Sequence, residues 1–427
     1  MTAVGGLFFP QREALGFDPR EVTPGVRAKI SHAAAEARSF ERASIVLKHV
    51  GNLKISNDTV QRVMGEVGTE LAERRDADPK TADALAKRPE EPPKMAIVEC
   101  DGGRIRAREP GHGRGVTLSG EKGWRETKNA CLINALGQTF TEDPQPEPPE
   151  CFFDPKHVAK IAQTEALSVA SPQAAQALAS SDEIEDLAQP SADWRPKRKV
   201  RTVLASMECS RQFGKQMFRE AKRRRFFDAA IKAFLGDGLP WNWSIWREHF
   251  RNFTAILDFI HPLSYLYLAA KTVHAGQADD VWSQYVAWMR GCWQGEVGQV
   301  IEELRLHQIK LGQPPADAPD SDPRQIVATT INYLNNNRER MNYPEYRKAG
   351  LPVTTAWMES LVKEMNYRVK GTEMFWNDPA GAEAILQIRA AALSDDDRLD
   401  RHLLQRPGSP FAKQPKPPKL KSQTCKP

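Results

Sequence analysis

The chain has 427 residues, 40% of them apolar and 27% charged, with 60 Lys and Arg against 55 Asp and Glu for a net charge of +5. That length allows two or three domains and a sizeable core, and so mild a charge excess excludes naming a partner from net charge alone. The six cysteines (Cys100, Cys131, Cys151, Cys209, Cys292 and Cys425) form no C-x-x-C pair. Their scatter argues against a zinc ribbon or a disulfide framework and fits a reducing cytoplasm.

The opening "MTAVGGLFFPQREALGF" lacks a basic stretch followed by a long apolar one, so no signal peptide is expected. Residues 25–74 read as helices. Ser39 is placed to cap a helix from Phe40 to about His49, and Ser56 to cap a second one, "NDTVQRVMGEVGTELAERR". Two helices joined by the short turn "GNLKIS" fit a helix-turn-helix-like DNA-binding domain over 1–75. In that reading Asn57, Asp58, Gln61 and Arg62 enter the major groove; the plainer alternative is a helical hairpin.

Residues 76–93 are charged and Pro-containing, as linkers are. "KMAIVEC" then reads as a first strand ending in "DGGRIRARE", and "GWRETKNACLINAL" as a second. Residues 141–198, rich in Pro, Ala, Ser and acids, read as an insertion with a helix after Asp154. "KVRTVLASM" is a third strand and "CSRQFGKQMFREAKRRRFF" a helix, its Lys222–Arg225 run suited to a helix C-terminus. "DAAIKAFLG" is a fourth strand leading into Asp237, "SIWREHF" a helix, and "FTAILDFIH" a fifth strand. The most apolar segment, "AILDFIHPLSYLYLAA", holds Asp258, His261 and Pro262, too polar for a membrane span. Residues 262–352 are helical and aromatic-rich, 353–393 helical again, and 394–427 form a Pro- and Lys-rich tail expected to be disordered.

Two strands end in an acid followed by glycine: Asp101 and Asp237. Each Asp-Gly alone is an ordinary turn. Polar residues at strand ends in an α/β sheet, however, gather along one edge, where sites form. Hydrolysis and transfer of a phosphodiester need charge neutralised on phosphorus and a deprotonated nucleophile, which two Mg²⁺ ions about 4 Å apart provide. Mg²⁺ prefers carboxylate oxygens, so about three converging acids are required.

At this point the chain resembles a family. "VECDGGRIRAR", "FLGDGLPWNW", "LDFIHPLSYL" and "TTAWMESLVKEMNYRVKGTEMFW", in this order, resemble bacterial insertion-sequence transposases of the DDE class, ISKra-type, related to the Mutator-like superfamily. The resemblance covers roughly 6–392 and implies an α/β RNase H-like catalytic core with a helical insertion. It places the catalytic, metal-binding acids on Asp101, Asp237 and Glu359, and an accessory D-x-x-H pair on Asp258 and His261. Asp258 is the rival of Asp237; Glu364 and Glu373 are rivals of Glu359, although Glu364 lies about 140° round a helix from it. "TTAWMES" lacks a Gly-Ser-Gly lead into the glutamate, and no N-terminal zinc-ligand cluster is present.

The implied cofactor is a pair of Mg²⁺ ions, with Mn²⁺ as substitute. The implied partners are the element's terminal repeats and target DNA, both double-stranded, bound by a homodimer or larger oligomer at the nucleoid, with no membrane. Arg338, Arg340, Arg347, Lys348, Lys363, Arg368 and Lys370 lie near the third acid in sequence and are candidates for phosphate contact. Trp241, Trp243 and Trp246 fit packing better than base stacking. "GHGRGV" is not a dinucleotide fingerprint, and no P-loop, H-E-x-x-H or G-x-S-x-G occurs. A catalytically decayed transposase that only binds DNA, and a nuclease that cuts without joining, are the alternatives.

Overall fold

The computed structural model describes residues 22–77, 89–108, 123–170, 194–370, 375–376 and 379–406. Three helices come first: α1 (Pro24–Glu36), α2 (Phe40–His49) and α3 (Asn57–Asp76). Each starts where a side-chain oxygen takes an orphan N–H: Thr23 from Val26, Ser39 from Arg42 and Ser56 from Thr59.

The sheet holds β1 (Met95–Arg106), β2 (Trp124–Leu136), β3 (Lys197–Ser206), β4 (Ile231–Gly236) and β5 (Thr254–Leu257), in the order β3-β2-β1-β4-β5. β1, β2 and β3 form an antiparallel meander, while β4 and β5 run parallel to β1. The protein is therefore mixed α/β around one five-stranded mixed sheet. α4 (Pro155–Ala170) precedes β3; α5 (Ser210–Arg223) and α6 (Pro240–His249) are the crossovers that parallel pairing requires. Helices α7 (Ile260–Val273), α8 (Ala278–Trp293), α9 (Val297–Leu311), α10 (Pro323–Asn337) and α11 (Tyr343–Lys348) follow, then α12 (Ala356–Val369), α13 (Pro379–Ala392) and α14 (Arg398–Gln405). Among the described residues no helix is long and apolar enough to cross a membrane.

Three expectations change. The N-terminal helices form where expected, but they do not stand apart as a separate domain. Val60, Val63, Met64, Val67 and Leu71 of α3 are buried, and α3 lies flush on α13. A Cβ at Gly68 would stand 2.2 Å from the Ala384 carbonyl oxygen, so only glycine admits this approach. α13 is buried on nearly all sides, between α3 and β3, so its sequence is mostly apolar, and its buried Gln387 and Arg389 donate to the Ala205 and Ala35 carbonyls. Gln61 stays exposed, whereas Arg62 pairs with Glu66 at 3.0 Å.

The tail expected to be disordered from 394 is ordered at its start. α14 buries Leu399, His402 and Leu403, and Arg398 reaches Glu220 at 2.8 Å. Residues 407–427 lie outside the described set.

The first part of the 141–198 segment is built into the core. Phe152 packs against Phe259 and Trp293 at 5.5 and 6.3 Å, and Asp143 binds Arg347. Residues 171–193 of that segment, and 78–88 of the expected linker, are not described.

Candidate active site

The parallel strands set the site. β1 pairs with β4 only as far as Glu99 opposite Leu235, and β4 with β5 as far as Gly236 opposite Leu257. Asp101, Asp237 and Asp258 all follow these last pairs, on the carboxyl edge of three adjacent parallel strands. Such an edge is where open α/β sheets place ligands. β5 is shorter than its sequence suggested: it stops at Leu257, and His261 lies in the first turn of α7.

Asp258 explains how the fourth acid arrives. It is buried, and its Oδ1 accepts from the Ile260 and Thr355 N–H groups at 3.2 and 3.3 Å. Its Oδ2 accepts from the Thr355 hydroxyl at 2.7 Å and lies 3.6 Å from His261 Nε2. Phe259 N–H donates to the Val353 carbonyl at 3.0 Å. These bonds tie the start of α12 to the end of β5, which swings Glu359, in the first turn of α12, over the acid edge. Thr355 sits at the N-cap position of α12, and its hydroxyl serves Asp258 rather than the helix.

Asp237 is held in place as well. Its Oδ1 accepts from Leu239 N–H at 2.9 Å and from the buried Asn242 amide, and its backbone carbonyl accepts from the Tyr333 hydroxyl at 2.9 Å. Gly238, at φ +99°, makes this turn, with Tyr333 so close that a Cβ would meet its ring at 2.9 Å.

The acids repel one another. Burial pushes the half-buried Asp101 carboxyl up to about 7; Asp237 and Asp258 raise it further and His261 opposes them. Burial likewise pushes Glu359 up to about 7, with Asp258 and Asp101 raising it and His261 and Lys363 opposing. The structure thus puts Asp101 within electrostatic reach of Asp237, Asp258 and His261, and Glu359 within reach of Asp101, Asp258 and His261. Sequence reasoning missed a sixth group, Glu99. It shares the Asp101 face of β1, since strand side chains alternate with period two. It is fully buried, and burial pushes its carboxyl well above the ordinary range, with the Asp258 charge raising it further and the Met358 backbone N–H opposing. The E-x-D spacing was the available signal.

Glu364, the rival of Glu359, faces away and pairs with Arg201 at 3.0 Å. Glu373 lies outside the described residues. Two proposed phosphate contacts are overturned by burial. Arg347 is wholly enclosed, forked onto Asp143 at 2.8 and 2.6 Å and 4.2 Å from the Trp293 ring. Arg368 donates to the Ala34 carbonyl at 2.7 Å and lies between Phe40 and Trp376. Both guanidiniums hold segments together and cannot reach a phosphate. Lys348 pairs with Glu345 at 2.8 Å; Arg338 and Lys363 are exposed, and Lys370 is half-buried. Arg340 stacks 4.4 Å over Trp243, whose Nε1–H donates to Asn337, so Trp243 packs as expected.

The donor set suits a hard divalent cation: oxygen ligands under mutual repulsion. As the side chains stand, no group of three or more His, Cys, Asp or Glu among the described residues converges tightly enough to hold a metal. No family model matches the chain, and no curated protein sequence matches it.

Proposed function

We propose that the protein is a DDE-class DNA transposase of the ISKra-type, with an RNase H-like core, that cleaves and joins DNA at the ends of an insertion sequence. The observation that carries this reading is the gathering of Asp101, Asp237 and Glu359 at one sheet edge, two of them pushed up to about 7 by burial and neighbouring acids. A cluster so short of positive charge suits cation and phosphate chemistry better than it suits stability. The sheet order and the strand–strand–strand–helix–strand–helix–strand sequence also support an RNase H-like core.

Asp101, Asp237 and Glu359 would hold Mg²⁺ or Mn²⁺, which when bound supplies Lewis acidity and lowers the pKa of a nucleophilic water or hydroxyl. Asp258 acts on position: its two oxygens fix Thr355 and hence the start of the Glu359 helix. His261 offsets the negative charge on Asp101 and Glu359. Asn242 and Leu239 orient the Asp237 carboxylate.

The test is incubation of the full chain and Mg²⁺ with a supercoiled plasmid carrying the DNA that flanks its own gene. Nicks at the element ends and joined products are expected, and both disappear in Asp101→Asn and Glu359→Gln. Cuts without joined products would reduce the reading to a nuclease. Absence of any cutting by the wild type would remove the enzymatic reading.

A further inference from the structure

β1 and β2 continue as a two-stranded arm after β4 has ended. Their pairing runs on to Arg106 opposite Trp124, about 17 Å beyond Asp101 at roughly 3.3 Å per residue. Directly paired residues share a face, so Gly102, Arg104 and Arg106 lie on one side with Lys128, Glu126 and Trp124. This is the side opposite Glu99 and Asp101, and it carries cations set against aromatic rings. Near the acid edge, Lys128 Nζ is 5.7 Å from the Trp241 ring. Toward the end of the arm, Arg106 lies between Trp124 and Phe375 at 4.9 and 4.8 Å, and Lys370 Nζ is 5.7 Å from Trp124. Gly102, directly opposite Lys128, leaves the surface open there.

On this face of the paired strands there is one carboxylate, Glu126, and it is bound to Lys128 at 3.0 Å. Arg104 is exposed and Lys370 half-buried. The two are close enough that, after burial, Arg104 is what holds the Lys370 ammonium below its ordinary range. Folding has brought like charges together, and a polyanion relieves that repulsion.

We propose that this face of the β1–β2 arm is a track for the DNA backbone, with Arg104 and Lys370 contacting phosphates and Trp124 and Trp241 flanking the strand that enters the acid edge. Lys128 and Arg106, both buried, supply positive field beneath it. The contacts fall on phosphates, so the track recognises DNA without regard to sequence. Calling the polyanion DNA rests on the transposase reading; the charge arrangement stands without it.

The experiment uses the full chain, a short fluorescein-labelled DNA duplex of arbitrary sequence, and anisotropy across a salt titration. Arg104→Ala with Lys370→Ala should weaken binding roughly tenfold per cation near 0.1 M salt and flatten the log–log salt slope by about 0.9 per contact. Arg104→Lys with Lys370→Arg should retain both, and Glu126→Gln should tighten binding, a gain that misfolding cannot produce. Unchanged affinity and slope in the alanine pair would overturn the proposal, as would stronger displacement by RNA than by DNA at equal phosphate. Cleavage is read separately. Asp101→Asn should bind like the wild type without cutting. If it cuts like the wild type, the active-site reading fails while the binding result stands.

Discussion

Two places in this protein bury several charges together, and they treat them in opposite ways. Between α5 and α14, Glu220 sits among Arg223, Arg224 and Arg398, and Asp396 pairs with Arg224 and Arg398. Burial works against the Glu220 carboxylate, yet the three guanidiniums hold its pKa well below the ordinary range. At the acid edge, burial and neighbouring carboxylates push Asp101 and Glu359 up to about 7. In the first cluster every carboxylate and guanidinium has an opposite partner, and this balance of pairs joins helices. The second is unbalanced, and an unbalanced buried cluster marks where an external cation belongs.

Several experiments can break or sharpen this contrast. The largest effect is expected at the balanced cluster. Glu220→Gln leaves buried guanidiniums uncompensated and should cost about 3–5 kcal/mol, read by urea denaturation. A loss below about 1 kcal/mol would put this cluster in the same class as exposed pairs.

Asp101→Asn should do the reverse. Its stability should hold or rise, by about 1–2 °C in Tm, because a repelling charge is gone. Its DNA cleavage should fall by about 10²–10³-fold or more, the scale of losing a transition-state electrostatic contact. A marked fall in Tm would show that Asp101 is structural.

Thr355→Val removes the hydroxyl that serves buried Asp258 and should cost about 1–3 kcal/mol. Cleavage should drop with it, because the start of the Glu359 helix loosens. Full cleavage activity in a folded Thr355→Val protein would detach Asp258 from the site.

The smallest effect is a pH dependence. Asp101 and Glu359 are raised above their usual 3.8 and 4.5, so the folded protein holds more protons than the unfolded one between about 4 and 7. Their contribution is therefore destabilising at pH 8 and fades as pH falls toward 4. The Tm advantage of Asp101→Asn over wild type should be present at pH 8 and shrink by pH 5. Glu220 has the opposite sign: it stabilises above its unfolded value of 4.5, and that stability is lost as pH falls toward its depressed folded value. An Asp101→Asn advantage that is constant with pH would remove the repulsion argument.

Local signals in the sequence were legible because their causes are local. Ser39 and Ser56 cap the helices that their positions announced, and Gly238 makes the turn after β4. The five strands show their apolar runs, and Asp237 stands just past the end of β4 as expected, whereas β1 does not end at Asp101 but stays paired to β2 as far as Arg106. Long-range placement was less legible. Arg347 and Arg368 look like surface cations in sequence and are core residues, because their partners Asp143 and Ala34 lie hundreds of residues away. The cations along the β1–β2 arm passed unnoticed because pairing, not adjacency, puts Arg104 near Lys370.

The stretch "FLGDGLPWNW" shows where the division falls. Its residues determined by themselves a strand and a glycine turn, because backbone preference and apolar runs act over a few residues, while the helix expected over "SIWREHF" begins earlier, at Pro240. They did not determine what Asp237 faces. That was decided when β1, β4 and β5 aligned in parallel and Asp258 drew Thr355 and the α12 start across their ends. A carboxylate's chemistry depends on the charges within a few ångströms of it, and only the folded chain sets those distances.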